Sequence, residues 1–397
     1  MLLTYLEALA LVLAQRLALG HERVTLEAAQ GRVLSAPLLA DRDHPPFDRV
    51  AMDGIAIHYA AYAAGQRNFP VAWLQAAGDA PRPLEDITRC VEIMTGAALP
   101  PGCTTVVRYE DLEAGEGTFR LPEGLEDGAH LHRRGKDSLA GAMLAPAGQR
   151  IGVAEIGMLA TCGYAGVEVS KRPRVMVVAT GNELVPVSEV PLPHQIRQSN
   201  LYQVGALLAG QGLQPTLKHL RDDPELIRSA LAQALEDYEV IVLSGGVSMG
   251  KLDFIPQVLR ELGVRQLLHG VAQRPGKPLW VGRRGETMVF GLPGNPVSTL
   301  CCAVHYVLPF LMAQAGLPPP PPEYAQLTED CHFAAPLTLF QLVALRSDAA
   351  TGTLLATPTR NAGSGDSTSL LRSAAFLELP PDRAHFRRGE VFPLRRW

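Results

Sequence analysis

Residues 239–253 read EVIVLSGGVSMGKLD. Val240 to Leu243 form a short, largely β-branched apolar run, the pattern of a strand buried on both faces. Ser244-Gly245-Gly246 interrupts the run. Ser248, Gly250 and Asp253 then precede FIPQVLREL, whose apolar spacing is helical. Ligands of open α/β sheets bind outside the carboxyl ends of strands, and paired glycines there let backbone N–H groups approach a phosphate. A tight strand–helix turn with no ligand is an equal reading of this loop taken alone. The pattern matches neither a Walker loop nor GxGxxG. Three comparable glycine loops close by in the sequence shift the balance toward a binding site.

Those loops lie on either side of the opening stretch. RVMVVATGNELV reads as a buried strand ending at Thr180-Gly181 with Glu183 just beyond. RQSNLYQVGALLAGQG predicts a helix starting near Ser199-Asn200, both good N-caps. LQPTLKHLRDDP reads as a strand and a loop carrying Asp222 and Asp223, and PELIRSALAQALE as a helix with proline in its first turn. QRPGKPLWVG carries Lys277, and MVFGLPGNPVS carries Pro293, Gly294 and Asn295 ahead of a long apolar helix. Strands alternating with helices predict a parallel sheet with right-handed crossovers.

Toward the N-terminus, Thr4 and Glu7 have capping-box spacing, so a helix opens the chain. A second short helical stretch is expected to end near Gly31. In DHPPFDRVAMDGIAI, Pro45-Pro46 forces an extended path and Asp53-Gly54 reads as a turn with a carboxylate at its tip. From about Phe47 to Gly135, short strands broken by Pro and Gly predict a β-rich insert. Within it Thr95-Gly96 follows one apolar strand and Glu110 ends another. HRRGKDSLAG then gathers Arg133, Arg134 and Asp137 around a glycine, ordinarily no more than a solvated turn. His130 and His132 are expected to share one face of a strand. Helical character returns through VAEIGMLATCG, and a short strand is expected next, before the basic hinge Lys171-Arg172-Pro173. Residues 1–46 and 136–171 therefore read as one discontinuous domain interrupted by 47–135, followed by 172–317. Beyond the proline run 318–322, residues 323–397 are β-patterned, with GSGDSTS (363–369) as the most polar loop.

The 397 residues carry a formal net charge of -4, with neither a basic tail nor a basic patch, which sets nucleic-acid binding aside. The cysteines at 90, 103, 162, 301, 302 and 331 lack CxxC pairing and sit among apolar residues, as expected of reduced thiols in a cytoplasmic protein. No signal peptide is expected. Val297 to Leu317 contains His305, Pro309 and Gln314, which fits a buried helix better than a membrane span.

ATGNEL, LSGGVSMGKLD, RPGKP and GLPGNPVS, preceded in order by PPFDRVAMDG, IMTGA and RRGKD, resemble the molybdenum insertase family, to which the C-terminal enzyme domain of gephyrin is related. The resemblance implies a multidomain α/β protein: a central α/β/α sandwich with a mostly parallel sheet, a β-rich inserted domain, a discontinuous N-terminal domain and a small C-terminal β-barrel-like domain. It implies an elongated homodimer with sites shared between subunits. The implied reaction is insertion of molybdate into adenylylated molybdopterin with release of AMP, assisted by Mg2+. Molybdopterin adenylyltransferase and apo-molybdoenzymes are the implied partners.

The catalytic candidates carried over are Glu183, Asp253, Asp53 and Asp137. Glu183 and Asp253 are hard oxygen donors suited to Mg2+ or to orienting the attacking species. The binding candidates are Thr95, Thr180, Gly181, Ser199, Asn200, Ser244, Gly245, Gly246, Ser248, Lys277, Pro293, Gly294 and Asn295. Glycine loops supply N–H donors, the second of them ahead of a helix N-terminus, and Lys277 adds a mobile positive charge toward phosphate. Carboxylates gathered in one cleft raise one another's pKa unless a cation sits among them. The sequence departs from the family's pattern in three places. Asn182 stands where many relatives have Asp, leaving no second carboxylate beside Glu183. Lys136 stands where an acid is common, and FQLVALR is apolar where a basic residue is common. Rival readings are the adenylyltransferase, which is essentially the central domain alone, a tungstate-inserting paralogue, and a gephyrin-like scaffold without catalysis.

Overall fold

The computed structural model describes residues 2–247, 254–318 and 321–397. Its central sheet has six strands in the spatial order 216–220, 175–180, 240–244, 287–292, 280–284 and 265–269. The first three pairings are parallel and the last two antiparallel. Strands Val175–Thr180, Val240–Ser244 and Thr287–Leu292 are buried at every position, which explains their continuous apolar runs. Period-two alternation divides their side chains between two cores. Val175, Val177, Val240 and Val242 face the helices Asn200–Ala209 and Pro296–Cys302. Met176, Val178, Ile241 and Leu243 face Pro224–Asp237 and Ile255–Glu261. This is the α/β/α sandwich.

The helix running from Pro296 to Gln314 is long and apolar enough to cross a membrane, yet 72% of its most apolar window is buried inside the protein. Its Ala303–Val307 turn is π-helical and holds His305. The opening helix Tyr5–Leu13 starts at the expected Thr4–Glu7 capping box. It places Tyr5, Ala8, Leu9 and Val12 in the central core, away from the residues it adjoins in sequence.

The helical stretch expected before Gly31 is instead the strand His21–Thr25 followed by a turn. That strand pairs antiparallel with Gly166–Ser170, so a partner some 140 residues away overrides local propensity. Residues around Leu34, Leu38, Ala145, Leu159 and Val167 share one core. The β-rich insert is a six-stranded sheet in the order 105–108, 54–57, 90–93, 68–75, 118–120 and 113–115, with a small apolar core on each face. His130 does not share a strand face with His132. It adopts φ +54°, a left-handed turn that breaks the alternation.

The C-terminal strands 338–347, 354–358, 323–327, 391–396 and 375–379 pair in a ring, since 375–379 returns to 338–347. Closure into a barrel removes the exposed edges. Gln273–Arg274 from the central region adds in parallel alongside 338–347 and joins the two units.

Candidate functional site

Register brings the carboxyl ends of three central strands level: Ala179 lies opposite Ser244, and Ser244 opposite Leu292. The loops that follow line one cleft of about 750 Å³, within the usual range for small-molecule sites. Of the candidates, Thr180, Gly181, Glu183, Ser199, Asn200, Ser244, Gly245, Gly246, Pro293, Gly294 and Asn295 all line it. Ser248 and Asp253 lie outside the described residues.

Glycine is required at Gly245. It adopts φ +95°, and a Cβ there would lie 2.8 Å from the Thr180 carbonyl oxygen. At Gly181 a Cβ would meet a Glu183 carboxylate oxygen at 2.5 Å, so the Glu183 side chain folds back over the Thr180-Gly181 turn.

The expected N-caps do not cap. Neither Ser199 nor Asn200 bonds the first turn of its helix through its side chain. Asn200 instead directs Nδ2 across the cleft, 2.9 Å from Ser244 Oγ, 2.6 Å from the Gly294 carbonyl and 3.1 Å from Thr299 Oγ1. One amide thereby joins a strand end, a loop and a helix. Thr180 Oγ1, Gln198 Oε1 and Asn200 Oδ1 are buried in this lining and have no hydrogen-bond partner among the described residues. Buried polar atoms of this kind are ordinarily satisfied by ligand or water.

A second carboxylate does stand in the cleft with Glu183. Asp222 lines it, held by a reciprocal pair in which Asn182 N–H donates to Asp222 Oδ2 (3.1 Å) and Asp222 N–H donates to Asn182 Oδ1 (3.2 Å). The amide at 182 thus positions the acid that its own position lacks. Arg197 adds a cation to the same lining, and Gly365 and Ser367 reach it from the C-terminal region. Asp222, Gly365 and Ser367 were missed because they arrive on chain segments remote from the glycine loops, and Arg197 because it precedes the helix start that drew attention to Ser199 and Asn200. The available signal was the polar, glycine-containing character of 363–369.

Lys277 does not line this cleft. With Arg274 it faces a neighbouring one of about 560 Å³, which shares Pro278, Pro293 and Asn295 as a common wall. Phe340, Gln341 and Leu342 of FQLVALR line the far side, so the positive charge comes from the central region. The Asn295 side chain does not hold its own turn. Its Nδ2 donates to Ser364 Oγ at 2.8 Å, and Val297 N–H donates to the Ser364 carbonyl, fastening the polar C-terminal loop over both clefts.

The remaining candidates form two small groups outside both clefts. Asp53 Oδ1 accepts from Thr95 Oγ1 (2.7 Å) and Thr95 N–H (2.6 Å), which holds its exposed carboxyl below the usual carboxylate range. Asp137 pairs with His132 Nε2 at 2.8 Å, and Arg49 contacts the other ring nitrogen at 3.1 Å.

Three regions of the chain match known families: residues 3–163 the MoeA N-terminal region (domain I and II), 176–313 the probable molybdopterin binding domain, and 324–395 the MoeA C-terminal region (domain IV). A Synechocystis protein named molybdopterin molybdenumtransferase is 38% identical over 95% of this chain and 95% of its own length. A Bacillus subtilis protein of the same name is 32% identical over 93% and 88% respectively. Among solved structures, the Pyrococcus horikoshii molybdopterin biosynthesis MoeA protein superimposes with a TM-score of 0.85 at 28% identity, covering 100% of this chain and 99% of its own. Full-length coverage, the order of the three matched regions and the shared fold agree: the chain belongs to the molybdopterin molybdenumtransferase family.

Proposed function

We propose that this protein completes molybdenum cofactor synthesis by inserting molybdate into adenylylated molybdopterin, with release of AMP. The observation that carries the reading is a pair of adjoining clefts with complementary chemistry. The first offers glycine-loop N–H groups, carboxylates and unsatisfied polar atoms. The second offers the cations Arg274 and Lys277. The adenylylated pterin takes the first cleft and the molybdate anion the second, separated by the shared wall at Pro293 and Asn295. The Gly245 N–H is taken by the Leu292 carbonyl, so the Gly246 N–H and Arg197 bear on the phosphoanhydride, where negative charge develops. Thr180 Oγ1, Gln198 Oε1 and Asn200 Oδ1 orient the polar substrate edge, and the 363–367 loop restricts water. Glu183 and Asp222 supply the hard oxygen donors Mg2+ requires, so the lining fits the ion. When bound, Mg2+ offsets charge on the phosphoanhydride.

The Asp53–Thr95 and Asp137–His132–Arg49 groups would complete the site from a second subunit of a homodimer, since neither group lines either of the two clefts described. We assign 47–135, 172–317 and 323–397 as separate units, and 1–46 with 136–171 as a fourth, apart from the helix seated in the central core. Six free thiols, five of them buried, suit the cytoplasm. The test is to incubate the protein with adenylylated molybdopterin, Mg2+ and molybdate and follow AMP. Release that ignores molybdate would refute insertion, and net synthesis of the adenylylated compound from ATP would identify the adenylyltransferase instead.

A further inference from the structure

Three side chains that neither cleft uses meet in the N-terminal region. Asp41 and His44 follow the Leu38–Leu39 strand, and Cys162 is the C-cap of the Val153–Thr161 helix. His44 Nε2 stands 3.6 Å from Asp41 Oδ1 and 3.7 Å from Cys162 Sγ. All three donor atoms lie within 4.8 Å of one another. Tetrahedral zinc with ordinary bond lengths sets N and S about 3.6 Å apart and N and O about 3.4 Å apart. The two separations from His44 Nε2 agree with these to within about 0.2 Å, and the Asp41 and Cys162 donor atoms lie within 4.8 Å of each other.

Hydrogen bonding does not account for the same arrangement. One ring nitrogen faces both the carboxylate and the sulfur, and it carries at most one proton. As a donor it leaves one neighbour unserved; as an acceptor from the thiol it turns its lone pair toward a carboxylate. A cation at the centre of the triangle satisfies all three atoms. Thiolate, carboxylate and neutral imidazole together carry two negative charges, matching a divalent ion. The carbonyl end of the Val153–Thr161 helix, where Cys162 sits, adds further favourable potential. Cys162 is 5% exposed and packed in the core with Leu159 and Ile151, whereas Asp41 is exposed and leaves a route for entry. Arg42 touches only the outer Asp41 oxygen, at 3.9 Å, from an exposed position.

We propose that Asp41, His44 and Cys162 bind one zinc-class transition-metal ion per chain, with water in the fourth position. The ion would tie the segment entering the β-rich insert to the helix of residues 153–161. Its sulfur ligand distinguishes it from the Mg2+ expected in the central cleft, because Mg2+ avoids thiolates.

The test uses the full-length, metal-stripped protein in a thiol-free reductant, titrated with Co2+ as a visible substitute for Zn2+. A saturable thiolate-to-cobalt charge-transfer band in the near ultraviolet is expected, at one ion per chain. Zn2+ should remove it and excess Mg2+ should not. Cys162→Ser should abolish the band, whereas Cys331→Ser, at the one cysteine that is not buried, should leave it intact. His44→Gln should weaken Zn2+ binding by more than about 100-fold, beyond the loss typical of a merely supporting group. Asp41→Asn, at an exposed position, tests the site without disturbing the core. Absence of the band, or its survival in Cys162→Ser, overturns the proposal. So does cobalt bound only without a sulfur band, which would place the ion at nitrogen or oxygen donors such as the Glu183–Asp222 lining or the His332–His385 pair.

Discussion

Asn200→Ala removes the amide that joins a strand end, a loop and a helix around the first cleft. Its Nδ2 has two protons and three acceptors within reach, at 2.6, 2.9 and 3.1 Å, so two bonds are lost. At about 0.5–1.5 kcal/mol net for each, the expected destabilisation is about 2 kcal/mol. In a domain of this size that lowers the melting temperature by about 4–8 °C. The same substitution deletes Oδ1, which has no partner among the described residues, so AMP release should fall as well. Asn200→Asp separates the two roles. It keeps an oxygen toward the ligand but sets a second oxygen against the Gly294 carbonyl, so it should melt at least as early as the alanine variant. Differential scanning calorimetry on both proteins, paired with the AMP assay, reads the two effects independently. Melting unchanged in both variants would refute the scaffolding argument and leave Asn200 a ligand contact alone.

Glu183→Gln and Asp222→Asn should each fold normally and lose turnover by about 10²–10³, as when other preorganised electrostatic groups are removed; wild-type rates at saturating Mg2+ would take them out of the site. Lys277→Met should raise the molybdate concentration needed for half-maximal AMP release while leaving pterin binding unchanged, because Lys277 faces the second cleft, and in the wild type added salt should mimic the change. Asp53→Ala and Glu183→Ala proteins, each inactive, should recover roughly a quarter of wild-type activity when refolded as an equal mixture, if sites are shared across a two-fold. A mixture that stays inactive despite subunit exchange seen by mass spectrometry would confine each site to one chain. His305 is fully buried, its Nε2 has no hydrogen-bond partner among the described residues, and burial pushes its pKa down to about 3. The unfolded chain takes up this proton below about pH 6.5, so stability is complete above that pH and falls on acidification, by about 2 kcal/mol at about pH 5. His305→Leu should melt with a shallower decline between about pH 6.5 and 5.

What the residue order determined by itself was whatever depends on near neighbours in sequence. Strands 175–180, 240–244 and 287–292 were legible because burial on both faces demands an unbroken apolar run. The Thr4–Glu7 helix start was legible because a capping box is made within one turn, and the start at Pro224 because proline is suited to a first turn. The glycine loops identified the first cleft because the strand ends that carry them are brought level by parallel register. Only the tertiary structure decided the rest. His21–Thr25 is a strand because Gly166–Ser170 lies beside it. Asp222 joins Glu183 because the 216–220 strand sits at the sheet edge next to 175–180. Lys277 turns into the second cleft, and Ser364 meets Asn295 across 69 residues of chain. Cys162 reaches His44 across 118. Contacts at such separations are set by how whole units pack, and periodicity, capping and turn chemistry extend over only a few residues.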